Sequence, residues 1–478
     1  MPIVFTQHAE ILESDLETPV GMFLRLVEDH QGILLESAET DGRWGRYSIA
    51  AKDFILTMSC VDGRLRISKA DNALDSLMEY HGAPFIEGLR SLMQNICIQE
   101  ARQAKPHPPI TRALYGYLGY GVAGLFEPRL AASLPPGETC ASFVLPATLF
   151  VFDHTYNKII RLTLTINDRA PIMPSASPCL HRAKKAQSLS GLDTREKYVA
   201  AVRQVKEMLR QGEAIQVVLS APFGAPLMES PFSLYRRLRR INPSPYMFYM
   251  RLPDGILLGS SPEVMVTCNQ NKLRLCPIAG TRPRSADAAQ DAFFGDALLQ
   301  DPKEQAEHVM LVDLGRNDLG RIAEAGSVKV DRFMDVERFS HVMHLTSNIS
   351  AQLRPGLDGL DVIGACFPAG TVSGAPKVRA MEILAKMEQR PRGPYAGAIG
   401  WLGLDRDSVN LDFGITIRSL WVDEGQVCWQ AGAGIVHDSI PEKEWDECCV
   451  KAAVIEKTVL GTSTLMATYG EDNVSAHR

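Results

Sequence analysis

The chain has 478 residues, a formal net charge of −6 at pH 7, 45% hydrophobic residues and 22% charged residues. This length predicts two or three domains, and the composition is ordinary for a soluble globular protein with a sizeable core. Because the net charge is negative and no long basic run occurs, nucleic acid is not expected as a partner.

Neither a signal peptide nor a membrane span is predicted. The first residues, MPIVFTQHAE, lack a basic start followed by an apolar core, and no apolar run approaches ~18 residues. The ten cysteines form no CxxC pair and no HExxH motif occurs, which disfavours zinc. Reduced thiols in a cytoplasmic enzyme are the simplest interpretation.

A polar stretch divides the chain into two large segments. Residues 165–193 are rich in proline, serine and small polar side chains, which predicts a linker or surface excursion. The N-terminal domain is predicted to span 1–170 and the catalytic domain 190–462. The last residues, 463–478, are polar and are predicted to form a flexible tail.

A helix is predicted directly after the linker. Asp193 and Glu196 have the spacing of a capping box, and Gly212 is expected to end the helix. The strand AIQVVLS follows, and its polar residue Gln216 could face solvent. Other predicted helices are 230–240, 302–313, 375–389 and 441–459, and predicted strands are 147–152, 159–166, 255–260, 273–278 and 412–422. Strands near hairpin turns, without a βαβ rhythm, predict an α+β fold of mostly antiparallel sheets with helices on the outer faces.

Two predicted helices each begin with a proline and carry a Glu-x-x-Glu pair. The pairs are Glu304 and Glu307 in the first helix, and Glu444 and Glu447 in the second. A solvated helix face with a Glu447–Lys451 ion pair would explain one such helix. Two copies can place four carboxylates at one point, where their repulsion requires a cation. The pattern therefore also predicts a site for Mg²⁺, which prefers oxygen ligands.

Other segments could hold an anionic substrate beside that cation. GTVSGAPK at 370–377 is a glycine-rich turn that runs into a helix. Its backbone N–H groups and the hydroxyl of Thr371 can bind a carboxylate or phosphate. A plain loop with a helix cap is the competing interpretation. Arg418 in an apolar strand either faces solvent or pairs with a buried anion. The glycine-containing segments 279–281 and 432–435 permit close backbone approach.

Three histidines, His308, His341 and His344, are candidate proton carriers, although a lone histidine is more often structural. From the residues alone, the chain is predicted to be a magnesium-dependent enzyme acting on a small polyanion.

Between about 190 and 460 the chain contains, in order, the motifs PIAGTRPR, EQAEH, RNDLGRI, VMHLTS, GTVSGAPKVRAMEIL, YAGAIGW, ITIRSL and GAGIVHDSIPEKEWDECCVKA. This ordered set resembles the chorismate-using enzymes, a family that includes anthranilate synthase component I, aminodeoxychorismate synthase component I, and the isochorismate and salicylate synthases. The N-terminal half matches at ILLESAE, RYSIAA, GYLGYG and FVFDH, with Gly121 where the family usually has aspartate.

The resemblance implies two large antiparallel β-sheets packed orthogonally, with helices on their outer faces. It implies that Mg²⁺ is held by Glu304, Glu307, Glu444 and Glu447. It implies that chorismate contacts Gly280, Thr281, Thr371, Tyr395, Arg418, Gly432, Ala433, Gly434 and Lys451. Glu263 matches the general acid that protonates the departing C4 hydroxyl, and His344 matches the histidine linked to pyruvate elimination.

The choice of reaction depends on two positions. Relatives that add water have a lysine where this chain has Gln216, whose amide cannot deprotonate water. Aminodeoxychorismate synthases have a nucleophilic lysine where this chain has Ala279. The resemblance therefore implies an anthranilate synthase using ammonia, with aminodeoxychorismate synthase as the alternative enzyme. A tryptophan-binding relative without catalysis is the non-enzyme alternative.

The resemblance also implies partners and regulation. The tryptophan feedback site is expected at Leu35, Ser37, Pro245, Tyr246 and Met247. No nucleophile elbow of the GxCxG type occurs, so a separate glutamine amidotransferase subunit is expected to supply ammonia, in a heterotetramer.

Overall fold

The computed structural model describes residues 2–27, 30–37, 45–101, 107–135, 140–167, 169–171, 193–339 and 342–461. Most of the predicted linker, the predicted tail and His341 lie outside these residues.

The described residues contain a large set of β-strands. In chain order they are β1 (Ile3–Leu12), β2 (Gly32–Glu36), β3 (Tyr47–Val61), β4 (Arg64–Lys69), β5 (Ile96–Glu100), β6 (Ala113–Leu118), β7 (Ala141–Asp153), β8 (Lys158–Ile166), β9 (Gln216–Pro226), β10 (Tyr246–Leu252), β11 (Gly255–Ser261), β12 (Val264–Asn269), β13 (Lys272–Leu275), β14 (Ile278–Pro283), β15 (Lys329–Arg338), β16 (Val342–Gln352), β17 (Gly374–Ala375), β18 (Ala398–Gly403), β19 (Leu411–Ile415), β20 (Ser419–Asp423) and β21 (Gln426–Ile435).

The α-helices are α1 (Pro19–Val27), α2 (Phe85–Gln94), α3 (Ala123–Phe126), α4 (Pro128–Ala131), α5 (Arg195–Arg210), α6 (Pro231–Ile241), α7 (Ala288–Gln300), α8 (Pro302–Gly320), α9 (Gly359–Cys366), α10 (Lys377–Glu388) and α11 (Pro441–Leu460). Short 3₁₀ helices occur at Asn72–Tyr80, Pro109–Thr111, Tyr120–Val122 and Gly370–Val372. None of the described helices is long and apolar enough to cross a membrane.

The strands form two sheets that share two long bent strands. The first sheet has the order β5-β1-β8-β7-β3-β2-β10-β11-β20-β21-β9-β17, antiparallel except for the pair β1 and β5. The second has the order β4-β3-β7-β6-β18-β19-β12-β13-β16, and β16 also pairs with β14 and β15.

Strands β3 and β7 change sheet at a break in their pairing. The register shifts between Phe54 and Leu56 of β3, where Pro146 of β7 lies opposite Phe54. Residues of β3 before this break pair with β2, and residues after it pair with β4. Strands that pass from one sheet to the other at a bend are typical of orthogonally packed sheets.

Three large apolar cores fill the layers. One lies between the sheets and contains Ile33, Tyr115, Val151 and Phe248. A second packs α1, α5, α6, α10 and α11 on the first sheet, and a third packs α2, α8 and α9 on the second. The predicted α+β class, with two antiparallel sheets and helices outside, is confirmed.

Predicted element boundaries differ from the structure at several points. The predicted strand 412–422 is wrong as one strand, because β19 ends before Thr416 and Arg418 has a φ of 47°. The predicted strand 273–278 is likewise divided between β13 and β14. The cap of α5 is Thr194, whose hydroxyl accepts from Lys197 N, rather than Asp193. Gly212 follows α5 with a φ of 78°, a conformation that favours glycine.

Candidate active site

Helix α11 presents the second Glu-x-x-Glu pair. Pro441 occupies its first turn, Glu444 is buried, and Glu447 and Lys451 are each half exposed and joined by a 2.8 Å ion pair. The simple ion-pair interpretation therefore describes a real contact. Lys451 Nζ also donates to the carbonyl of Gly432 at 3.2 Å. The same lysine therefore contacts the glycine-containing segment 432–435, which is predicted to bind the substrate.

Helix α8 presents the first pair beside the segment that contains Gly280. Asp301 caps the helix by accepting from the backbone N–H groups of Lys303 and Glu304. Arg282 pairs with Asp301 at 2.8 Å and with Glu304 at 3.4 Å. Gly280 has a φ of 65°, a conformation that favours glycine, and a Cβ there would lie 3.0 Å from Glu304 Oε2, so the backbone closely approaches this carboxylate.

Carboxylates of the two helices influence one another. Burial, with the charge of Glu304 and a smaller effect of Glu447, raises the pKa of Glu307 above its ordinary range. Burial, together with the charge of Glu447, raises the pKa of Glu444. This crowding of carboxylates on α8 and α11 fits a hard divalent cation.

The four glutamates do not form a closed ligand set as they stand. Within the described part of the chain, no three His, Cys, Asp or Glu side chains are close enough to hold a metal ion. Glu304 faces Arg282, and Glu447 faces Lys451. The magnesium ligands therefore stay a prediction, and binding requires these two glutamates to turn from the chain's own cations.

Glu263 lies just after β11, near Thr371, Arg418 and Lys451. We call the space around these four side chains the cleft. The backbone carbonyl of Glu263 accepts from Ile415 N at 2.9 Å, which fixes it beside β19. Burial raises the pKa of Glu263 to about 7, although the nearby Thr371 hydroxyl and the charges of Lys451 and Arg418 oppose this. A substantial fraction of this carboxyl is therefore protonated at neutral pH and can act as an acid.

Thr371 faces the same carboxyl from the predicted glycine-rich turn. A 3₁₀ helix, Gly370–Val372, is followed by β17 and then by α10, which has no side-chain cap. Thr371 Oγ1 is buried beside Glu263, and no hydrogen bond of ordinary geometry joins it to a described residue. Lys377 is unavailable to a substrate, because it pairs with Asp318 at 2.8 Å. The hydroxyl of Thr371 is thus the group that a ligand can use.

A small cavity of about 50 Å³ adjoins these two side chains, and its other wall is helix α8. It is lined there by Leu311, Leu314 and Gly315. Glu263 and Thr371 therefore share this cavity with an apolar face of α8.

Arg418 lies at the break between β19 and β20. It is largely buried rather than solvent-facing, and burial lowers its pKa, an effect that Glu263 opposes. Its guanidinium makes a 3.5 Å hydrogen bond to Asn242 Oδ1, which is at the long end of the range. The remaining N–H groups can bind an anion in the cleft.

His344 lies on β16 opposite the Gly280 segment. Its Nδ1 is 2.7 Å from the carbonyl oxygen of Gly280 and 3.1 Å from Thr281 Oγ1. Because a carbonyl can only accept, Nδ1 is assigned the proton, and Nε2 of the neutral ring carries the lone pair. Burial lowers the pKa of His344, and the charge of Arg418 adds to this. His344 can therefore accept a proton at Nε2.

Gln216 is buried, which rules out the interpretation that it faces solvent. It begins β9, opposite Ala375 of β17. A Cβ on Gly434 would lie 2.7 Å from Gln216 Nε2, so the amide packs directly on that glycine. A Cβ on Gly432 would lie 3.0 Å from the hydroxyl of Tyr395. Ala433 is buried between these two glycines of β21.

The structure excludes His308 from this site. His308 is buried on α8, and its Nε2 is 2.6 Å from Ser347 Oγ, which also accepts from Met334 N. Burial lowers the pKa of His308, which is consistent with a neutral structural residue. Ala279 is buried in β14 and offers no nucleophile.

The predicted tryptophan residues come from two distant segments that pair as strands. Strands β2 and β10 are antiparallel, with Leu35 opposite Phe248 and Glu36 opposite Met247. Ser37 follows β2, and Pro245 precedes β10. The hydroxyl of Tyr246 donates to Asp412 Oδ1 at 2.5 Å, and burial raises the pKa of that aspartate to about 7.

A buried ion pair next to the predicted substrate residues was not predicted from the sequence. Arg392 and Glu388 have exposed side-chain fractions of only 1% and 3%. Arg392 follows a proline in the loop RPRGPY, a context that predicts a surface turn rather than a buried charge. No sequence pattern would have identified it.

Comparisons with known proteins agree with this geometry. A family model described as chorismate binding enzyme matches residues 59–457. Anthranilate synthase component 1 of Aquifex aeolicus is 38% identical over 473 residues, covering 93% of this chain and 92% of that protein. The protein of the same name from Streptomyces coelicolor is 39% identical over 475 residues, covering 93% and 87%.

Solved structures show the same architecture. The crystal structure of anthranilate synthase component I from Streptococcus pneumoniae aligns with a TM-score of 0.67 and 31% identity, covering 93% of this chain and 99% of that one. The menaquinone-specific isochorismate synthase of Escherichia coli aligns with a TM-score of 0.68 and 20% identity, covering 96% and 95%. At that identity the second likeness shows the fold alone.

Proposed function

The chain belongs to the chorismate binding enzyme family, and on that premise we propose that it is the large subunit of an anthranilate synthase. In the proposed reaction, chorismate and ammonia give anthranilate, pyruvate and water. Relatives named anthranilate synthase component 1 support this choice, since they are 35–39% identical over nearly the whole chain.

The observation that carries the proposal is the buried amide of Gln216 against Gly434. An amide cannot take a proton from water, so a nucleophile that needs no base is favoured there. Ammonia is such a nucleophile, because its lone pair attacks without prior deprotonation. Ala279 excludes a covalent lysine intermediate at the other critical position.

Glu263 performs the first proton transfer in this scheme. As ammonia bonds to C2 of the ring, the C4 hydroxyl takes the proton of Glu263 and leaves as water. The pKa of about 7 keeps enough of the acid protonated for this step at neutral pH. The attacking nitrogen then loses one proton, and a C2 amine remains.

His344 serves the elimination. Its Nε2 takes the proton from C2, the bond between C3 and the enolpyruvyl oxygen breaks, and the ring becomes aromatic. Enolpyruvate then takes up a proton to give pyruvate. The hydrogen bond from Nδ1 to Gly280 orients the ring and stabilises the imidazolium that forms.

The charged and polar groups around the cleft hold the substrate. Arg418, Lys451 and the Thr371 hydroxyl are proposed to bind its carboxylates. Glu304, Glu307, Glu444 and Glu447 are proposed to hold Mg²⁺. When bound, the ion neutralises the ring carboxylate and stabilises charge that spreads from it.

Two further parts of the proposal concern partners and regulation. A separate glutamine amidotransferase subunit supplies ammonia in a hetero-oligomer, and tryptophan inhibits by binding at the paired strands β2 and β10. The adjacency of Leu35 and Ser37 to Pro245, Tyr246 and Met247 supports one binding site shared by both segments.

Purified chain incubated with chorismate, Mg²⁺ and ammonium tests the proposal. Fluorescent anthranilate and an equal amount of pyruvate are expected, with no product from glutamine alone. An amino product that retains its enolpyruvyl group would instead indicate an aminodeoxychorismate synthase, or an aminodeoxyisochorismate synthase that stops before the elimination. No turnover would contradict the proposal.

A further inference from the structure

Arg392 and Glu388 form a two-pronged ion pair under the predicted substrate residues. Arg392 Nε donates to Glu388 Oε2 at 2.8 Å, and Nη2 donates to Oε1 at 2.7 Å. Although burial alone would lower the pKa of Arg392, the Glu388 carboxylate raises it above its ordinary value. The guanidinium is therefore charged at any working pH.

The other donors of Arg392 hold the backbone of two separate elements. Nη1 donates to the carbonyl of Val372 at 2.8 Å, and Nη2 donates to the carbonyl of Val218 at 2.7 Å. Glu388 Oε1 also accepts from the N–H and hydroxyl of Ser220, at 2.9 and 2.8 Å. One ion pair thus joins the end of α10, the turn before β17 and the strand β9.

Each of these anchor points adjoins a group that the proposed function places around chorismate. Val372 follows Thr371, and Val218 lies two residues after Gln216. Ser220 is opposite Gly432 in the pairing of β9 with β21.

The guanidinium also reaches two aromatic rings. Its carbon is 5.7 Å from the ring centre of Tyr395 and 4.6 Å from that of Tyr120, within the range of a cation–π contact. Arg392 touches none of the proposed reacting atoms itself, yet it contacts the supports of several binding groups.

Stability alone does not account for this pair. A buried ion pair loses its hydration, and well-packed apolar residues of similar size are often as stable or more so. Apolar residues cannot donate hydrogen bonds to two backbone carbonyls and a carboxylate, as Arg392 does. Lysine cannot reproduce these bonds either, because it lacks the planar fork of five donors.

We propose that Arg392, with Glu388, is a positioning residue that sets Thr371, Gln216 and Tyr395 at the separations that chorismate requires. The inference rests on the proposed function for the identity of the substrate. It adds to that function a residue pair outside the cleft on which substrate affinity depends.

The primary test is Arg392→Lys, compared with Arg112→Lys as a matched control. Arg112 is also mostly buried and ion-paired, but its bonds go to Glu100, Asp405 and His107 rather than to any predicted substrate residue. We expect the KM for chorismate to rise at least about 10-fold in Arg392→Lys, with a smaller change in kcat, because loss of binding groups raises KM. The control should keep its KM.

A charge-balanced variant, Glu388→Gln with Arg392→Met, covers the case in which Arg392→Lys does not fold. This double variant leaves no unpaired buried charge, and the amide oxygen introduced by Glu388→Gln can still accept hydrogen bonds from Ser220. The hydrogen bonds from Arg392 to the carbonyls of Val372 and Val218 are lost. The same rise in the KM for chorismate is expected.

The outcomes separate this inference from the proposed function. A purely structural role would lower the amount of active enzyme and hence Vmax, with KM for chorismate unchanged, and that result overturns the inference. Failure of the unaltered chain to make anthranilate overturns the proposed function instead. Chorismate affinity, measured by calorimetry without ammonium, then still tests Arg392: equal affinities in Arg392→Lys and the unaltered chain overturn its role.

Discussion

Glu263 shows how one residue acquires its chemistry from its surroundings. Its carboxyl is buried near the Thr371 hydroxyl and the charged side chains of Lys451 and Arg418. Burial disfavours the charged form and the two cations favour it, and burial has the larger effect. The result is an acid whose pKa lies near neutral pH, which suits proton donation to a leaving hydroxyl.

Glu263→Gln should lower kcat by about 100-fold or more, because general acid catalysis contributes about 10²–10⁴-fold. The KM for chorismate should change only a few-fold, since glutamine retains the size of the side chain. Steady-state kinetics with chorismate, Mg²⁺ and ammonium measure both quantities. A variant with normal kcat would remove Glu263 from the mechanism.

The same residue should make the folded chain sensitive to pH. The pKa is about 7 in the folded chain and 4.5 in the unfolded chain, so the folded state binds more protons between these values. The free energy of unfolding therefore falls as pH rises from 4.5 to 7, by up to about 3 kcal/mol at about 1.36 kcal/mol per pKa unit. The contribution of Glu263 to the free energy of unfolding is fully present below pH 4.5 and is lost above pH 7.

Glu263→Gln mimics the protonated form, so it should raise the melting temperature at pH 8 and change it little near pH 4.5. Parallel thermal melts of the variant and the unaltered chain at both pH values measure this difference. An equal effect at the two pH values would show that the charge on Glu263 is not the cause.

At the scale of elements, the sequence predicted helices better than strands. Proline at the first turn and a Glu-x-x-Glu pair located α8 and α11, whose helical geometry follows from local residues alone. The break at Arg418 was not predictable, because the apolar pattern continues through it while the backbone turns to a positive φ. That turn depends on packing against β11 and Asn242, which are distant in sequence.

Helix α11 allows a matched test of the metal assignment. Glu447→Gln should raise the Mg²⁺ concentration for half-maximal activity several-fold, because it removes one charged oxygen ligand. Glu442→Gln on the same helix should leave it unchanged, since Glu442 lies off this face and pairs with Arg203 at 2.8 Å. Magnesium titrations of both variants measure the effect. If Glu447→Gln needs no more Mg²⁺ for half-maximal activity than Glu442→Gln, the role of Glu447 as a magnesium ligand is contradicted.

At the scale of the molecule, the two sheets bring together residues that no local pattern relates. Part of β7 was predicted as a strand, at 147–152, whereas β3 was not predicted. The passage of both strands from one sheet to the other depends on the break at Phe54 and Pro146. The first sheet then places β2 of the N-terminal half beside β10 of the catalytic half. The roles of the predicted site residues were inferred from the family resemblance. Only the fold shows which of these residues lie next to one another.

This adjacency predicts that regulation and catalysis can be separated. Ser37→Ala should raise the tryptophan concentration for half-maximal inhibition at least about 10-fold, because a hydrogen bond to a charged ligand is worth about 1.5–3 kcal/mol. The kcat/KM for chorismate should remain unchanged, since Ser37 directly follows β2 and is not among the residues proposed to bind chorismate. Inhibition curves with and without the substitution, at fixed chorismate, measure the shift. Unchanged inhibition would exclude Ser37 from the site, and a parallel loss of activity would show that the β2–β10 pairing supports the cleft itself.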